Sequence, residues 1–189
     1  EKDLNSAMIM ALAMNRVEFV KLFLSYGISI QSLLTPKVLE FLYGYHCNNS
    51  HSIIQYVLKK VEYEPASGDF KDVMELLCSY EKYNSKSILL PLNKIKSVIN
   101  EACSIFKKSK SDQFIEGKST DPEFHFPYKE LFFFAVLSNM HEMALYLWRF
   151  EEDSLEKAFF GMQINNYLVG VAQKNDLPGD IAQGLKQNA

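Results

Sequence analysis

The segment Asn5–Ile30, NSAMIMALAMNRVEFVKLFLSYGISI, has a counterpart later in the same chain, and that repetition limits the fold more than any other feature. Setting Ala11 over Ala135, an offset of 124 residues, brings Asn15 onto Asn139, Glu18 onto Glu142, Phe23 onto Leu147 and Leu24 onto Trp148. In the first copy Leu4, Ala7, Met8, Ala11 and Met14 recur at the i, i+3, i+4, i+7 spacing of an amphipathic helix. Val17, Val20, Phe23 and Leu24 carry a second helix, with only Asn15-Arg16 between the two. Gly27 then stands where a helix ends on a left-handed residue, a conformation glycine adopts without steric penalty. Helices joined by so short a link lie antiparallel. The spacing therefore predicts one αα-hairpin twice, over residues 4–26 and 128–150.

Between the copies the pattern stays helical. Thr35 is a good N-cap and Pro36 suits the first helical position, where no backbone donor is needed. Gly44 is expected to close that short helix. Residues 51–61 read as a helix through Ile54, Val57, Leu58 and Val61, and EPASGD, Glu64 to Asp69, reads as a turn. Asp69 caps a predicted helix to about Tyr83, and Pro91–Lys107 forms another through Ile95, Val98, Ile99 and Ala102. Lys108 to Phe126 is polar, contains Gly117 and Pro122, and loses the helical period, as a variable loop or linker does. Pro127 restarts the helix. No stretch alternates as a strand would. The expectation is an all-α fold of stacked antiparallel helical hairpins, an ankyrin-like or solenoid-type array. Residues 1–107 form the first array, 108–126 the linker, and 127–189 a second segment packed with the first as one domain.

Composition excludes some functions. Twenty basic against 23 acidic residues give a net charge of −3, without the basic excess of a nucleic-acid footprint. The local basic run Lys107, Lys108, Lys110 reads as a solvated helix end. Cys47, Cys78 and Cys103 are an odd number without paired spacing, which points to a reducing compartment rather than a disulfide framework. In that setting the sequon Asn48-Asn49-Ser50 is inert. No run of 18 apolar residues suggests a membrane span. Fourteen Phe and ten Tyr indicate thick helix-to-helix packing. The pattern is already under way at Glu1 and uncapped at Ala189, as expected of a piece of a longer protein.

Chemistry is sparse. His46-Cys47 with His51 offers three ligand types within six residues, but a structural zinc site needs four, usually from two separated pairs. EEDSLE, Glu151 to Glu156, lacks the alternating ligands and glycine of a calcium loop, and reads as acidic residues at a helix's positive end. Ser25, Ser32 and Ser138 sit in no nucleophile motif, His125 and His141 read as loop and helix-surface residues, and no glycine-rich phosphate cradle occurs. Met8, Met10 and Met14 at helical spacing read as core filler rather than an adaptable binding surface. Trp148 is expected to pack between its hairpin and its neighbours. The expectation is no enzyme, and no catalytic, cofactor or metal site.

Two stretches carry a resemblance. RVEFVKLFLSYGISIQSLLTPKVLEFLYG, Arg16 to Gly44, and FPYKELFFFAVLSNMHEMALYLW, Phe126 to Trp148, strongly resemble the cytosolic amino-terminal homology region of melastatin-type (TRPM) transient receptor potential channels. LEKAF, Leu155 to Phe159, and KNDLPGDIAQGLKQNA, Lys174 to Ala189, are similar to that region's continuation. Where the family usually closes the second hairpin with glycine this chain has Glu151, so the turn after Trp148 is expected to be built differently. The resemblance implies a structural and assembly module of a tetrameric cation channel, on the cytoplasmic side of a membrane, most naturally the plasma membrane. Its partners would be other domains and subunits of that channel, with the isolated piece a monomer. The family's ligand-binding segments have no counterpart here, so none of their residues carries over. The alternative is a free-standing helical-repeat adaptor that binds proteins.

Overall fold

The computed structural model describes residues 2–47, 53–59, 92–103, 127–150 and 154–187. Among these residues the elements are helices and turns: α1 (Lys2–Ala13), α2 (Val17–Ser25), α3 (Ile30–Leu33), α4 (Pro36–Cys47), α5 (Ile53–Lys59), α6 (Leu92–Cys103), α7 (Pro127–Leu137), α8 (His141–Leu147), a 3₁₀ turn (Trp148–Phe150), α9 (Ser154–Lys174) and α10 (Gly179–Gln187). The all-α expectation holds for them.

The two predicted hairpins are α1–α2 and α7–α8, and their junctions match bond for bond. Asn15 and Asn139 both take left-handed backbone, at φ 56° and 57°. The Arg16 N–H donates to the Ala11 carbonyl at 2.8 Å and the Asn15 N–H to Leu12 at 3.2 Å. One repeat later Met140 donates to Ala135 at 2.8 Å and Asn139 to Val136 at 3.0 Å. These paired bonds satisfy carbonyls that the end of a helix leaves orphaned. The residues that enter the second helices agree too, Arg16 at φ −91°, ψ 75° and Met140 at φ −99°, ψ 73°. Asparagine is tolerated in the left-handed region where most side chains are not. The same pair of bonds ends α2, where Gly27, at φ 87°, donates to the Leu24 carbonyl and Ile28 to Phe23.

Equal backbones are not equally buried. In α1 Met8, Ile9, Leu12 and Ala13 are buried while Asp3, Leu4 and Ala7 face outward. In α7 every residue from Leu131 to Leu137 is buried, the run LFFFAVL. A helix apolar all round is stable only when it is enclosed. α7 is enclosed: it packs on α3, α4, α8 and α9. α4 meets it from the first half of the chain, and α4 also meets α1, α5 and α6. Tyr43 of α4 stands edge-on to Phe134 of α7, ring centres 5.2 Å apart, and both are fully buried.

One expectation needs adjustment. Gly44 does not close α4, which runs to Cys47, because Tyr45 and His46 beyond it pack back on the core. Thr35 does cap this helix, its Oγ1 accepting the Val38 N–H at 3.3 Å. The 21-residue α9 lies against α5, α6, α7 and α10. Ile95, Val98, Ile99 and Ala102 are buried on α6 as the spacing predicts. The predicted turn at 64–69, the helix from Asp69 to about Tyr83 and the linker 108–126 lie outside the described residues.

Candidate interaction surface

The polar side chains nearest the core serve packing. His46, on the last turn of α4, is hydrogen-bonded through Nε2 to the Ala13 carbonyl at 2.7 Å and stands edge-on to Phe134, ring centres 5.4 Å apart. A carbonyl can only accept, so Nε2 carries the proton, and one orphaned carbonyl at the end of α1 gains a partner. Burial lowers the His46 pKa, which the bond to Ala13 opposes. Glu40, one turn before Gly44, accepts the Leu92 N–H at 3.3 Å and so meets the first turn of α6. Burial raises the Glu40 pKa against that bond and Lys37, and raises Glu130 on α7 against Lys96 and Lys129. Tyr43 is pushed well above the usual phenol range by burial, with the Glu130 charge adding to it. These groups join α1, α4 and α6 to one another, and the Tyr43 and His46 rings meet Phe134 of α7.

The residues weighed for chemistry are dispersed. Cys47 ends α4 and His51 lies outside the described residues, so His46 is the one member of that trio whose contacts are seen. Among the described residues no group of three His, Cys, Asp or Glu side chains converges as a metal would require. Of EEDSLE, residues 151–153 lie outside the described residues and Ser154 begins α9. The Ser25 hydroxyl donates to the Leu22 carbonyl at 2.7 Å and Ser32 to Ser29 at 3.1 Å, bonds local to their own turns. Ser138 Oγ is buried beside the α7–α8 junction, and His141 is exposed at the start of α8. His125 and the basic run Lys107, Lys108, Lys110 lie outside the described residues. Met8 is buried, Met10 half-buried and Met14 exposed, so the methionines form no single surface. Trp148 is half-buried and packs on the margin of the core. A cavity of about 10 Å³ is lined by Tyr43, Ile54, Val57, Ile95, Val98 and Leu137. That is about one water's worth of space in an apolar wall, too little for a ligand.

The surface is more informative. α2 lies beside α8, with Lys21 Nζ 5.6 Å from the centre of the Tyr146 ring while also 2.6 Å from Glu18 Oε1. A cation over an aromatic face at this distance is a favourable, partly solvated contact. Phe150 stacks on Tyr128 at 4.9 Å and meets Tyr146 edge-on at 5.1 Å, extending an aromatic strip along the same side. Along α2 and at its C-cap, Phe19, Leu22 and Tyr26 are exposed at i, i+3, i+7. That stripe is visible in the sequence, but the stronger Val17–Val20–Leu24 stripe beside it draws the eye first.

A family model described as TRPM2-like domain matches residues 1–186. The chain is similar, at 27% identity over 212 residues, to the "Transient receptor potential cation channel trpm" of Drosophila melanogaster, covering 98% of this chain and 10% of that protein. It is similar at 27% over 215 residues to "Transient receptor potential cation channel subfamily M member 1" of Mus musculus, covering 98% of this chain and 13% of that protein. It is also similar at 27% over 244 residues to "Transient receptor potential cation channel subfamily M member 7" of Homo sapiens, with the same two shares, 98% and 13%. The chain thus spans only about an eighth or less of the relatives it matches.

Proposed function

The chain belongs to the TRPM2-like domain family, and on that premise we propose that it is a cytosolic structural and assembly module of a tetrameric TRPM-like cation channel. The observation that carries the proposal is the match to channel subunits along 98% of the chain. Its role there is contact: it supports folding, subunit association and transmission of cytosolic events to a distant gate. The buried ring contacts of Tyr43 and His46 with Phe134 favour this role, since they join the two halves of the chain. We further propose that residues 1–107 and 127–189 form one domain, and that the hairpins are stacked as in a solenoid; the α2–α8 contact supports the stacking. The module has no catalytic or cofactor site of its own. Its partners are other domains and subunits of the same channel, which sits in the plasma membrane, and the isolated module is monomeric.

The test uses the full-length protein in cells. A cysteine placed at the exposed Lys174 should react with a membrane-impermeant maleimide only after permeabilisation. Labelling of intact cells would defeat the cytosolic assignment. Val20→Asp, at a fully buried position of α2, should reduce the recovery of tetramers and the current density together. Tetramers and currents at the normal level would show the module to be dispensable.

A further inference from the structure

We draw no further inference here: the strongest candidate, the exposed Phe19–Leu22–Tyr26 surface patch along α2 and its C-cap, is an unpartnered apolar stripe, and nothing in the structure shows what covers it.

Discussion

Asn15 offers the sharpest test of how the hairpin is built. At φ 56° its backbone lies in the left-handed region, where an L-residue with an ordinary Cβ is disfavoured by about 1–2 kcal/mol. Asparagine tolerates the region better than alanine, so Asn15→Ala should lose about 1 kcal/mol. Asn15→Gly removes the clash, but glycine also gives the unfolded chain more freedom, worth about 0.5–1 kcal/mol in the opposite direction. The two effects nearly cancel, and the glycine variant should stay within about 0.5 kcal/mol of the parent. With a urea dependence of about 1–3 kcal/mol per molar, the alanine loss moves the midpoint down by roughly 0.3–1 M. Asn139, at φ 57°, should behave alike for alanine. The backbone bonds of the two junctions are separate, so the double alanine variant should lose about the sum. If glycine at position 15 is as harmful as alanine, a side-chain bond rather than the backbone angle holds the turn. If neither alanine variant loses stability, the junction does not determine the hairpin.

The amide of Gln163 on α9 is buried with neither Nε2 nor Oε1 hydrogen-bonded, so Gln163→Met should raise stability by about 1 kcal/mol in chemical denaturation. A loss would mean that the amide has a partner in solution. The lowered pKa of His46 makes its contribution complete above the ordinary histidine range, near roughly 6.5, and lost as pH falls through the folded value. His46→Gln should therefore flatten the acid side of a stability–pH profile, whatever it does at neutral pH. Glu40 and Glu130, with raised values, act with the opposite sign: their favourable term holds below the ordinary carboxylate range and fades as pH rises through the folded values. An unchanged slope in His46→Gln below roughly pH 6.5 would place the imidazole in water.

What could be read in the sequence was the local part of the fold. The pairing of Asn15 with Asn139 marks two identical turns, and Thr35-Pro36 marks a helix start, because each is decided within a few neighbouring residues. Gly44 misleads for the converse reason. A glycine after an apolar stripe looks like a stop until Tyr45 and His46 are seen to have a core to pack on. The bond from His46 to Ala13 spans 33 residues, and that from Glu40 to Leu92 spans 52, so neither has a local signal. The LFFFAVL run of α7 does announce an enclosed helix, but not what encloses it. The spacing of Phe19, Leu22 and Tyr26 is legible in the sequence but their exposure is not, since Phe19 and Met143 look equally suited to a core until one is found uncovered.

The contacts that tie α4 to α7 and α6 to α9 have a consequence for how such a chain can change length. They hold the two ends of the connection from Cys103 to Pro127 at a fixed separation, whatever lies between. A loop joining two such fixed points lengthens at little cost in general, about 0.6 kcal/mol for each doubling, whereas one residue added between Ala13 and Val17 would shift every bond of the first junction. Descent with this architecture should leave the four-residue spacing from Ala11 to Asn15, and from Ala135 to Asn139, untouched while the chain between the hairpins grows and shrinks.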